Sequence, residues 1–312
     1  MIQLSDNSYL RLPGGFSNEG ILQVTGGALH ASDDVLNQSD DGILYLGGTV
    51  EDGPETSGQL AFRTTVHGGR VVFNHTDIKS YDLFLSHVDR VDVLAGYTSL
   101  SQDSPDFGGT AVVTGGELNV HALLGGNALV SGTGILSGDG RLSGSVAVNA
   151  GGTLSGVQGE PTLRIDGDLL LGDTAVVRAS LYAPDSQALF AVGGNLTLDG
   201  ALQVTDAGLF GQGVYRLFDY GGTLTDNGLD VGALPNGTSG ALQTSVDKQV
   251  NLVVSGGDDQ TVSFWNGATT IPDGQVHGGS GTWVRGVTNW TNPAGTDPRT
   301  WNDLSLIHIS EP

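Results

Sequence analysis

The chain has no cysteine, one methionine and few aromatic residues, at 6% of its length. The lack of cysteine excludes disulfide-stapled scaffolds and thiolate metal sites. It suits a chain that crosses an oxidising periplasm unfolded, where a premature disulfide would block transport. Cations are also scarce. Lysine and arginine number 12 against 34 aspartates and glutamates, for a formal net charge of −22. That balance argues against nucleic acid as a partner, because phosphates would be repelled and there is no basic stripe to release counterions. It equally disfavours docking on an anionic membrane surface, and it favours the solubility of a long particle. No apolar run approaches the roughly 20 residues of a membrane-spanning helix. The opening MIQLSDNSYLRLPGG has no basic segment followed by an apolar one, so no signal peptide is visible. Either the protein is cytoplasmic or its true beginning is missing. No window carries the i, i+3, i+4 stripe of a long helix.

Glycine is abundant, at 51 of 312 residues. From Leu118 to Val254 it cuts the chain into short pieces in which apolar and polar residues alternate. Val146 and Val148 point one way, and Ser145, Ala147 and Asn149 the other. Leu163 with Ile165, Leu196 with Leu198, Leu202 with Val204, and Val250 with Leu252 and Val254 repeat the pattern. A period of two marks strands buried on one face, and a disordered chain has no reason to keep it. Strands this short and this regularly spaced predict a solenoid or a large all-β stack.

The most informative text is GGRVVFNHT, VDRVDVLAGYTSLSQ and FGGTAVVTGGELNV, between residues 69 and 120. In Phe107, Gly108, Gly109, Thr110, Val112, Gly115, Gly116, Leu118 and Val120 it resembles the passenger-associated strand repeat of Gram-negative autotransporters. The aromatic Phe107 abuts the glycine pair with no spacer, a departure from the family's usual wording. Leu94-Ala95-Gly96, Thr98 and Leu100 match the preceding strand. Gly132 to Gly156, Thr162 to Leu171, Asn195 to Ala207, Gly213 to Gly222 and Val250 to Val254 follow in the family's order, and the likeness covers roughly residues 69 to 303. Several such motifs in order carry more weight than any single glycine-rich one.

The resemblance implies an all-β fold, a right-handed parallel β-helix. With about 20 to 25 residues per coil and a rise of about 4.8 Å, such a chain forms a rod of roughly 60 to 70 Å. Four segments are expected: a weakly periodic β segment over 1–68, passenger repeats over 69–256, the start of a further tryptophan-containing unit over 257–303, and the tail 304–312. The tail, LSLIHISEP, is out of character and resembles a translated sequencing-library adapter, so it is set apart from the fold and both natural termini are expected to be missing.

The implied role is structural and adhesive. It is that of a stalk on the surface of a Gram-negative bacterium, exported through the outer membrane and held there by a C-terminal β-barrel that this stretch lacks. Its partners would be glycans or proteins of a host or matrix surface, and its repeat determinants Phe107, Gly108, Gly109, Thr110, Val112, Gly116, Leu118 and Val120 would serve structure. Two other readings stay open: a carbohydrate-active β-helix enzyme, lyase or hydrolase, and a filamentous adhesin exported by a separate outer-membrane pore.

The residues offer no catalytic set, metal site or cofactor motif. The doublets Asp33-Asp34, Asp40-Asp41 and Asp258-Asp259 are the only paired carboxylates that could serve a glycosidase-like mechanism. No arginine-rich patch for an acidic sugar is seen. Asn37, Ser39, Asp41 and Gly42 faintly resemble a calcium loop, but Gly48 stands where its final carboxylate belongs. None of the histidines 30, 67, 75, 87, 121, 277 and 308 has an i, i+4 partner or an acidic neighbour in metal-site spacing. No G-x-S-x-G nucleophile setting or phosphate-binding glycine loop occurs. Four tryptophans follow residue 264; such a row can stack on sugars, but internal packing is the commoner use.

Overall fold

The alternating strands wind, in a computed structural model, into a parallel β-helix. The structure describes all residues except 6–8, 13–15, 27, 32–34, 49–54, 56–58, 61–63, 160–161, 256–261, 285, 302–305 and 309–312. Among the described residues the only helical element is the single 3-10 turn Pro235–Gly237.

Successive coils lay strands on three faces. The first face begins with Ile2–Leu4, Ile21–Val24 and Ile43–Gly47 and passes through the first halves of Arg70–Tyr81 and Arg90–Leu100. It continues through Thr110–Val113, Asn127–Val130, Val146–Val148, Leu169–Leu171 and Leu196–Leu198 to Leu224–Asp226. Each neighbouring pair in this ladder is parallel. The second face carries Glu117–Val120, Ile135–Gly138, Thr153–Val157, Val176–Leu181 and Ala201–Asp206, also parallel. The third runs from Leu123–Leu124 through Arg141–Leu142, Leu163–Ile165 and Phe190–Val192 to Gly213–Tyr220. Ser104 links this face to the earlier coils. Its hydroxyl accepts the Leu85 N–H at 2.9 Å, and its backbone bridges Leu124.

The first 68 residues join the same ladder. Leu4, Val24, Leu46, Phe73, Val93, Val113, Val130, Val148 and Leu171 lie over one another in register. None of these side chains is more than 6% exposed. Each buried aliphatic contributes about 1.5–3 kcal/mol, before the entropy of ordering the chain is set against it. The residues one position away, such as Leu129 and Leu170, face outward and are exposed. Coil length is less regular than the expected ~20 to 25 residues. Ala111 pairs with Ala128, 17 residues on, and Leu196 with Leu224, 28 residues on. Stacking constrains the strands, whereas the corners absorb the difference.

One corner, where the third face turns into the first, is held by a polar ladder. The Asn127 side chain accepts the Ser145 N–H at 2.9 Å, and the Ser145 hydroxyl accepts the Asp168 N–H at 3.0 Å. The Asp168 carboxylate accepts the Asn195 N–H at 2.7 Å, and the Asn195 carbonyl accepts the Thr223 N–H at 2.9 Å. Each step satisfies an amide that the sheet has not yet reached. A glycine precedes every rung, because backbone of the adjacent coil lies where its Cβ would go: a Cβ on Gly144 would sit 2.0 Å from the Gly126 oxygen. Asn195 therefore has a structural task.

The parallel order stops at the last strands, contrary to the expectation that Val250 to Val254 closes the stack as another parallel coil. Gly213–Tyr220 is parallel to Phe190–Val192 on one edge but antiparallel to Gln249–Ser255 on the other. Ser239–Gln243 and Gln249–Ser255 form a hairpin. Their connection is too short for a parallel crossover, so the chain must reverse. Val250, Leu252 and Val254 still face the core and are fully buried. On the opposite side, Val214 and Val253 pack with Val262, Phe264 and Val276 of the following segment. There Val262–Trp265 pairs with Trp290–Thr291 antiparallel, and with Leu306–His308 of the adapter-like tail in parallel.

Two outcomes follow from this packing. A Cβ on Gly109 would lie 2.1 Å from the Asp89 carbonyl oxygen, whereas one on Gly108 would meet nothing within 4 Å. Urea denaturation should therefore show Gly109→Ala destabilised by about 1–3 kcal/mol and Gly108→Ala within about 0.5 kcal/mol of the parent; equal effects would refute this account of the glycine pair. The second concerns His75, which is fully buried between Phe73 and Tyr81. Its Nδ1–H donates to the Asp77 carbonyl at 3.2 Å, and its Nε2 accepts from the Thr98 hydroxyl at 2.9 Å. Burial lowers its pKa, opposed by the neighbouring Asp77. Above about pH 6.5 the ring is neutral in folded and unfolded chains alike. As the pH falls through the lowered folded pKa, the unfolded chain gains a proton that the folded chain resists, and stability is lost. Thermal melts should show this loss in the parent and a flatter profile in His75→Gln.

Candidate functional site

The repeat determinants converge on two corners and the core between them. Phe107 is fully buried, and its N–H reaches the Ser104 carbonyl at 3.2 Å. Gly108 and Gly109 turn the chain into Thr110, which opens a strand paired with Arg90 on one side and Asn127 on the other. Gly116 has φ +65° and brings the next corner against the Gly96 carbonyl, where a Cβ would sit at 2.4 Å. Leu118 and Val120 fill the core below it. Val112 points outward from the first face yet is covered. These residues form no cavity among themselves.

The tryptophans do come together. Trp290 lies 5.2 Å from Trp265, 6.1 Å from Trp283 and 4.9 Å from Trp301 between ring centroids, and Trp283 lies 5.4 Å from Trp301. Trp265 and Trp290 are buried, and the Trp265 Nε1–H donates to the Gly279 carbonyl at 2.9 Å. Trp283 is 52% exposed. Its ring stands at 77° to both Trp290 and Trp301, so the cluster packs edge to face. This geometry closes a small core; it does not lay out parallel ring faces for successive sugars.

The paired carboxylates gather into no groove. Asp33-Asp34 and Asp258-Asp259 lie outside the described residues, and Asp40 and Asp41 are exposed at a turn. The segment resembling a calcium loop is divided between the strands Val35–Gln38 and Ile43–Gly47, on different faces. Among the described residues no three histidines, aspartates or glutamates are placed to hold a metal. Two histidines do have acidic partners that spacing alone had not offered. His277 Nε2 meets Asp273 at 2.8 Å, an i, i+4 pair, and His121 Nδ1 meets Asp139 of the next coil at 2.5 Å. The His277 contact, with the Gln275 amide, lowers the Asp273 pKa.

Sequence reading also missed two charge arrangements. Arg70 and Arg90 are register partners, and both clamp the nearly buried Asp92, at 2.6 and 2.7 Å. On the third face, Arg141, Arg164, Arg216 and Lys248 reach one side of the rod, although no arginine-rich run exists in the text. The available signal was the outward position of Arg141 and Arg164 beside core residues Leu142 and Ile165, visible only once the coils are aligned.

No protein-family profile matches the chain, and no solved structure does. Over 147 residues it is 43% identical to the Adhesin BmaC autotransporter of Brucella suis biovar 1 (strain 1330), a match covering 45% of this chain and 4% of that protein. The chain thus spans only a small part of the relative's length. In sequence over that stretch, and in its stacked parallel coils, the chain resembles the passenger domain of an autotransporter adhesin.

Proposed function

We propose that the chain is part of an adhesive passenger: a non-catalytic, surface-exposed stalk carried through the outer membrane of a Gram-negative bacterium. The observation that carries this reading is the unbroken register of core residues from Leu4 to Leu171, which makes a rod whose stiffness needs no ligand. The relative named as an adhesin supports the same role. Outward positions vary freely while the core repeats, so attachment to glycans or proteins of a host or matrix surface falls to the outer faces and corners. The phe-gly and leu-val repeat residues serve the coil.

The test places the chain between an export signal and an outer-membrane β-barrel in a Gram-negative host. Cells should display it accessible to added protease and should attach to matrix-coated surfaces more than cells carrying the barrel alone. Display without any gain in attachment would reduce the role to a spacer. Release of reducing ends from polysaccharides by the purified chain would instead revive the enzyme.

A further inference from the structure

The third face carries a groove of about 460 Å³ near the end of the solenoid. Its walls include Arg164, Asp166, Arg216, Asp219, Lys248 and Gln249. Its floor exists because Ala191 occupies the outward position between Arg164 and Asp219, so one coil contributes only a methyl group where its neighbours contribute long side chains. The volume lies within the range of small-molecule sites.

Charge in the groove runs against the rest of the chain. The two carboxylates are already neutralised: Asp166 by Arg141 at 2.8 Å, and Asp219 by Arg216 at 3.0 Å. Arg216 is further fixed by the Asn251 side-chain oxygen at 3.1 Å. Two cations are left over. Arg164 is exposed and has no hydrogen-bond or ion-pair partner among the described residues. Lys248 sits 5.4 Å over the Tyr220 ring and donates to the Gly222 carbonyl, with no carboxylate partner among the described residues. Arg164 also lies directly beside Arg141 in the ladder, a like-charge pairing that destabilises a sheet. The fold gains nothing from an unpaired guanidinium there.

We propose that this groove binds a saccharide bearing a carboxylate, such as a uronic acid unit. Arg164 takes the carboxylate through its two-pronged donor set, and Lys248 adds a second positive charge. Asp166, Asp219 and Gln249 offer acceptors and an amide to the sugar hydroxyls. A peptide fits less well. The strands beneath the groove are paired on both edges, leaving none free for strand addition, and the lining has no exposed apolar anchor. A densely sulfated polymer would meet the field of a chain with net charge −22, so a sparsely charged glycan is favoured. The proposal deepens the adhesive reading but rests on the groove alone.

The test is calorimetric titration of the purified chain with a glucuronate-terminated disaccharide, with its neutral methyl ester, and with an acidic peptide, at low and physiological salt. The acid disaccharide should bind, more weakly as salt rises, and the ester should lose at least about tenfold in affinity. Arg164→Ala, a change at an exposed side chain, should lose a similar factor. Ala191→Trp should abolish binding by filling the floor. No binding of the acid, equal binding of acid and ester, indifference to Arg164→Ala, or binding of the peptide alone would each overturn the assignment. Because no cell or export step is involved, failure here leaves the surface-display experiment to judge the stalk separately.

Discussion

The structure depends on one constraint: each coil's backbone must find its hydrogen-bond partners on the coils beside it. A strand of three or four residues, such as Val146–Val148, cannot stand alone. It persists because Asn127–Val130 and Leu169–Leu171 bond to its two edges. The inward side chains then have little choice. A residue in register with a buried valine is itself buried, so apolar identity propagates along the rod. Stability in such an array is a sum of neighbour terms with no centre, and any coil left without a neighbour presents an open edge.

That constraint explains the end of the stack. A parallel ladder can always accept another coil. Here the hairpin Ser239–Gln243 with Gln249–Ser255 lies antiparallel on the last third-face strand, so propagation on that face changes direction. The hairpin's outer side is apolar and takes the Phe264 core as its cover. Reversal and cover together do for this face what closure does for a barrel.

Much of this was legible in the sequence, and the limits have physical causes. Alternation showed which residues of Val146–Val148 and Leu163–Ile165 face inward, because a pleated strand has no other way to divide its side chains. Alternation carries no sign of direction, so Val250 to Val254 read the same whether its partner ran parallel or antiparallel. Glycine marked the corners, but the polar rungs from Asn127 to Thr223 stayed hidden, since four different residue types perform one task at spacings set by loop length. In the N-terminal coils the strands are interrupted by long corners, which dilute a period of two without breaking the stack. The tryptophans and the third-face cations were visible singly. Their convergence depends on which coil lies over which, and that is a property of the register.

The same separation of core from surface governs what such a rod can recognise. Salt limits the reach of exposed charge to about 8 Å under physiological conditions. The overall charge of −22 therefore keeps rods apart and soluble without deciding what happens in a groove only a few residues across. There the local inventory governs, and a single unpaired arginine beside a methyl floor outweighs distant carboxylates on other coils. A solenoid can thus hold its fold constant and change its ligand by exchanging outward residues one coil at a time, because those positions lie outside the stack that holds the coils together.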